Sequence, residues 1–379
     1  MIYPLLPIFL TRVLGATALS LGVIEGVAEA ASSVLKIAAG RLSDKTGRPK
    51  RLVLAGYGLS GLVRPLVALV GSWGQVLGLR FADRVGKGIR GAPRDAMLAH
   101  FSPPHLRGRA FGFHRAMDHA GAVAGPLVAA MFLFLYPGEY RTLFALSIIP
   151  GIVVILILLR VPEARVDEPR EPDEPVELRE PVEPREPRAA LNLSASFWKA
   201  ILVILVFSLG NASDAFLLLR ISDLGVAPFW IPLLWSALHV VKVVSSLAGG
   251  ELSDRFGRRR LIAAGWIVYA LVYAGFGFFD SASAVIVIFL SYGLYFGLTE
   301  GVEKAWVADL TPAGARGTAF GIYNGALGID GLAASLTFGI IWTRVSPSAA
   351  FFTGAAVAAV ATGLLYSLFS HEEHSRHQR

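Results

Sequence analysis

Apolar and polar positions along this chain alternate in long blocks, not with the short period of a strand or of an amphipathic surface helix. A helix needs about 20 apolar residues to cross a bilayer core of roughly 30 Å. By that measure apolar runs fall near 17–40, 52–72, 73–99, 107–136 and 141–160, and again near 197–219, 227–250, 261–279, 283–308, 316–342 and 347–369. The pattern predicts eleven membrane-spanning helices. A shorter apolar run, Met1 to Val13, reaches only about 20 Å at about 1.5 Å per residue.

The polar interruptions repeat. Gly40 to Arg51 reads GRLSDKTGRPKR and Gly250 to Leu261 reads GELSDRFGRRRL, so that Gly40, Asp44, Gly47 and Arg48 match Gly250, Asp254, Gly257 and Arg258. Further on, Arg107, Gly108, Ala110, Phe111 and Gly112 match Arg316, Gly317, Ala319, Phe320 and Gly321. The offsets, 250 − 40 = 210 and 316 − 107 = 209, are nearly equal, and two motifs that keep one spacing indicate a duplicated half.

A doubled G-x-L-[SA]-D-[RK]-x-G-R-[RK] loop after the second apolar segment of each half resembles the signature of the major facilitator superfamily of secondary transporters. The resemblance covers Met1 to about Leu368. It implies an all-α polytopic membrane protein of two pseudo-symmetric six-helix bundles, twelve helices in plan, with a central substrate path and alternating access. The family pattern has roughly two to three more helical turns before Tyr3, and the expectation is a start site set too late. Gly121, Gly125 and Pro126 resemble the fifth-helix G-x-x-x-G-P motif of the family's antiporters, which points towards export.

Composition agrees independently. The 379 residues are 54% hydrophobic and 17% charged, with a mean hydropathy of +0.57, too apolar for a soluble domain to cover its own surface. The net charge of +7 lies in the loops and not on one soluble face, which argues for membrane orientation over nucleic acid. There is no cysteine, hence no disulfide framework and no thiolate metal site. No nucleotide loop, nucleophile elbow or zincin motif is present, so neither an enzyme nor a cofactor is expected.

Lys45, Arg48, Lys50, Arg51, Arg107, Arg109, Arg255 and Arg258 cluster in alternate loops, which the bias of cations to the inner side places in the cytoplasm, together with both termini. The expected domains are a bundle at 1–160, a linker at 161–196, a bundle at 197–369 and a tail at 370–379. The linker, rich in Pro, Glu and Arg, buries too little apolar surface to fold.

Charge inside hydrocarbon is costly and normally faces a bundle interior or a water-filled cavity. Glu25, Glu29, Arg80, Asp83, Lys87, Asp118, His119, His239, Lys242 and Asp330 fall within the apolar runs and mark the candidate path for substrate and protons. Runs 141–160, 261–279 and 347–369 have no charged residue in their cores, and in the resembled family the third helix of each triplet faces lipid. The charges at Arg94, Asp95, Glu303 and Lys304 read as packing pairs. The function expected is proton-coupled export of a small organic solute or drug across the plasma membrane by a monomer. The alternatives are uptake of an anionic metabolite and a non-transporting receptor or scaffold of the same fold.

Overall fold

The computed structural model describes residues 18–163, 193–227 and 230–376, with side chains described over 31–163, 193–227 and 230–369. The first half contains α1 (Ala18–Thr46), α2 (Pro49–Leu66), α3 (Trp73–Phe101), α4 (Arg107–Leu135), α5 (Tyr140–Leu146) and α6 (Ile148–Arg160). The second contains α7 (Ala195–Leu209), α8 (Ala215–Asp223), α9 (Trp230–Phe256), α10 (Arg258–Phe278), α11 (Ala282–Asp309), α12 (Arg316–Arg344) and α13 (Pro347–Arg376). Among the described residues there is no strand. Eight helical stretches are apolar and long enough to cross a membrane, and α1 and α3, 29 residues each, are long enough but interrupted by charge.

The repeated loops are tight because their glycines supply backbone that other residues resist. Gly47 turns the chain from α1 into α2 at φ 61° and Gly257 turns it from α9 into α10 at φ 90°, positive values that cost an L side chain roughly 1 kcal/mol or more. Pro49 then opens α2 in its first turn, where its missing N–H is not needed.

Across the halves, α1 packs on α12 and α9 packs on α4. Small residues permit this approach. A Cβ on Gly40 would lie 2.1 Å from the Gly317 carbonyl oxygen, and one on Gly250 would lie 2.5 Å from that of Gly108. The described contacts between halves run from Arg107 to His119 on α4 and from Arg316 to Gly328 on α12. These stretches are equivalent in the repeat, since 316 − 107 and 328 − 119 both equal 209. Beyond them Gly121 and Gly331 meet nothing within 4 Å. The described contacts between the halves thus lie towards the end that carries the paired loops.

Three expectations differ from the structure, in whole or in part. The run 197–219 is not one helix: it breaks at 210–214 between α7 and α8. The uncharged run 261–279, expected to face lipid, has two faces: α10 exposes Ile267, Leu271 and Phe278 but buries Trp266, Tyr269, Tyr273 and Phe276 completely. Lack of charge keeps a helix from lining a polar cavity but does not choose between lipid and an apolar protein core. By contrast α6 exposes Ile149, Ile152, Leu156 and Leu159. A Cβ on Gly121 would meet nothing within 4 Å, α4 runs through Pro126 unbroken, and the close approaches described for this helix are at Gly108 and Gly112. The third difference is the last helix, which continues to Arg376, past the expected end at 369. The short run 1–13 and linker residues 164–192 lie outside the described residues.

Candidate functional site

At the loop end two carboxylates bridge the halves in the same way. Asp44, near the end of α1, accepts from the backbone N–H of Gly317 (2.8 Å) and Thr318 (2.6 Å) at the start of α12. Asp254, near the end of α9, accepts from the N–H of Gly108 (2.9 Å) and Arg109 (2.8 Å) at the start of α4. The first N–H groups of a helix lack intrahelical partners and carry a partial positive charge, so each carboxylate satisfies two orphan donors and pins the other half. Arg258 reinforces only the second: it pairs with Asp254 and reaches Asp309 at 3.1 Å, and Asp309 also accepts from Arg107 at 2.7 Å. Arg48, its counterpart, is exposed and makes no ion pair among the described residues.

Deeper in, Asp95 on α3 and Lys304 on α11 form an ion pair between halves, with side chains 1% and 2% exposed. Arg94 (3.3 Å) and Asn324 (3.2 Å) also reach Asp95, while Glu303 accepts from Tyr323 (2.9 Å) and from the Trp266 indole (3.3 Å). The three buried charges here, Asp95, Glu303 and Lys304, have polar partners, as burial demands. Above this layer, His119 Nε2 lies 3.1 Å from Glu300 Oε2, and Arg115 lies 3.9 Å from the same oxygen. The His119 ring meets that of His239 edge to face at 5.6 Å. His239 Nδ1 lies 2.9 Å from the Trp235 carbonyl, so Nδ1 carries the proton and Nε2 faces away from that bond.

In the second half the break between α7 and α8 gathers another set. Tyr269 donates to the freed Gly210 carbonyl at 2.7 Å and Ser335 accepts from the Ser213 N–H at 3.1 Å, as open backbone at membrane depth requires. Asp214, in the break, accepts from the Tyr292 hydroxyl at 2.9 Å and from Lys242 at 3.4 Å. The Lys242 ammonium lies 3.4 Å from the centre of the Phe296 ring, 5.4 Å from Trp235 and 5.9 Å from Tyr292.

The structure therefore joins His119 to His239, and Lys242 to Asp214. Asp83 pairs with Arg80 at 3.6 Å, as its spacing predicts, but more tightly with Arg64 at 2.9 Å. Lys87 is half-buried on the same helix. Asp118 is engaged locally by Arg115 at 3.4 Å, and Asp330 faces Ser208, just before the break. Glu25 and Glu29 lie on α1, but their side chains are outside the described residues. The sequence reading gave Glu300 no role and read Asp95 and Lys304 as packing charges without naming their pairing across the halves. A signal for the last two was present: 304 − 95 = 209, so one repeat position holds opposite charges.

The comparisons with known proteins agree with this architecture. The family model described as Major Facilitator Superfamily matches residues 1–302 and 215–379. An uncharacterised MFS-type transporter of Methanocaldococcus jannaschii is 32% identical over 371 residues, covering 96% of this chain and 89% of the relative. The multidrug resistance protein MdtH of Photorhabdus laumondii is 24% identical over 341 residues, 87% of this chain and 81% of its own. In fold, the crystal structure of the human organic anion transporter MFSD10 matches with a TM-score of 0.73 at 16% identity, covering 90% of this chain and 83% of that one. The chain belongs to the major facilitator superfamily.

Proposed function

We propose that the protein is a secondary transporter that moves a small organic solute by alternating access, coupled to protons and in the direction of export. The observation that carries this reading is the matched pair of carboxylate caps, Asp44 on α12 and Asp254 on α4, with described cross-half contacts that run from the loop end as far as His119 and Gly328. Such caps hold one end shut and leave a cleft towards the other; releasing them lets the halves rock about the contact zone, a rigid-body transition between two packings. In this reading the paired loops are cytoplasmic gates, the chain works as a monomer in the plasma membrane, and both termini are inside. The buried charges argue against a pure scaffold, which has no use for their cost.

Proton coupling is assigned to the group that meets both the cleft and the other half. Glu300 fits, because His119 and Arg115 of the opposite half hold it and both contacts must break when the halves part; Glu25 and Glu29 are the other candidates. The Gly121–Pro126 motif and the name of the MdtH relative support export. A second reading, uptake of an organic anion, is favoured by Lys242 in the cleft and by the likeness to MFSD10. The test is purified protein in vesicles loaded with a pH dye and offered a solute library. Solute-dependent proton flux supports coupling, and its sign relative to solute movement fixes export against uptake. Solute movement that leaves internal pH unchanged sinks the proton assignment.

A further inference from the structure

The ion pair at the α7–α8 break is built unevenly. Lys242 is held on several sides: its side chain is 4% exposed, and Phe296, Trp235 and Tyr292 surround its ammonium. A cation so placed gains about 2 kcal/mol or more from desolvated ring faces. Its counter-ion is held less well. Asp214 reaches Lys242 only at 3.4 Å, beyond the 2.7–2.9 Å of a good charge-assisted hydrogen bond, and its side chain is 23% exposed. It sits at the N-cap of α8, at the edge of the break and not within a helix. The aromatic cage thus already contains the protein's own cation, and the replaceable member of the pair is the carboxylate.

We infer that this break is a carboxylate-binding site, in which a planar organic anion takes Lys242 from Asp214 and lays its apolar body against Phe296 and Trp235, the half-buried rings beside the ammonium. The displaced Asp214 turns to the solvent it already touches, so no charge is left buried without a partner. Tyr292, which now donates to Asp214, is free to donate to the ligand instead. Asp214 acts as a built-in competitor that occupies Lys242 between ligands. An organic cation is disfavoured here, because it would have to expel Lys242 from three ring faces. The inference rests on the transporter reading for its purpose but not on the direction of transport.

The signature is unusual for an ionic site: removing an acidic residue improves binding. Benzoate, neutral benzamide and cationic benzylamine are titrated into the solubilised protein and followed by calorimetry. Asp214→Asn should bind benzoate at least tenfold more tightly than wild type, and Lys242→Gln should lose it. The double variant Asp214→Asn/Lys242→Gln removes both charges, which spares the fold, and should bind benzoate no better than benzamide. Equal or weaker benzoate binding in folded Asp214→Asn, or binding retained in the double variant, overturns the inference. So does benzylamine binding that Asp214→Asn abolishes, which marks an organic-cation site. The readout needs no vesicle: a protein that binds benzoate as described but moves no solute loses the transporter reading alone, and one that transports without Lys242-dependent binding loses this site alone.

Discussion

Asp254 and Asp309 share one partner, Arg258, which contacts both carboxylates while Arg107 from the opposite half holds Asp309 from the other side. The first half has no such brace, because the counterpart of Asp309 is His100 (309 − 209) and Arg48 makes no ion pair among the described residues. The two caps are alike in geometry but unequal in strength. Asp44→Asn should therefore loosen the loop end more than Asp254→Asn. Loss of a charge at a helix start is worth about 1–2 kcal/mol, a factor of roughly 5–30 in the open population. The chain has no cysteine, so Ser33→Cys, at the buried α1–α12 contact, reports opening through its labelling rate. Equal rates in the two Asn variants would show that the Arg258 brace contributes nothing.

The Asp95–Lys304 pair supplies a sharper test of the duplication. Lys304→Met leaves Asp95 with Arg94 and Asn324 alone and should cost about 3 kcal/mol, near the lower end for breaking a buried pair. The exchange Asp95→Lys/Lys304→Asp should recover part of that loss in melting temperature, since both residues occupy one repeat position. An exchanged protein no more stable than Lys304→Met refutes the equivalence.

Two glycines of the same loop region should fail differently. Gly40→Val puts carbon within about 2.1 Å of the Gly317 carbonyl, so it should hold the loop end apart and raise Ser33→Cys labelling with little loss of thermal stability. Gly47→Ala meets no atom within 4 Å but forces φ 61° on a residue with a Cβ; it should cost about 1 kcal/mol and leave labelling unchanged. If Gly47→Ala opens the protein and Gly40→Val does not, closure depends on the turn and not on the helix contact.

Glu300→Gln removes the charge that His119 and Arg115 share across the halves. Accumulation driven by a pH gradient should fall at least tenfold while exchange of labelled solute across vesicles persists. Accumulation at the wild-type rate would move the coupling role to Glu25 or Glu29.

The two-half plan was legible because hydrocarbon forces long apolar runs and because duplicated loops keep their spacing. The break in 197–219 was signalled too: Gly210, Asn211, Ser213 and Asp214 are turn formers within five residues. An apolar length criterion overrode them. The site itself was only partly legible. Asp214 and Lys242 are 28 residues apart and meet because α9 returns past the break, while His119 and Glu300 are 181 apart and meet only across the halves. Residue type identified the charges inside the membrane, but helix packing decided their partners.

If two copies of the first half came together about a two-fold axis, as identical subunits do, the residue at position 95 would face its own copy, aspartate against aspartate, in a dry interior. The neighbouring position would set Arg94 near its own copy in the same way. In the actual chain both positions are inverted in sign, Arg94–Asp95 against Glu303–Lys304. Each half is thereby complementary to the other and repellent to itself. At these positions the two halves present unlike surfaces, and the single chain guarantees that one of each is always present.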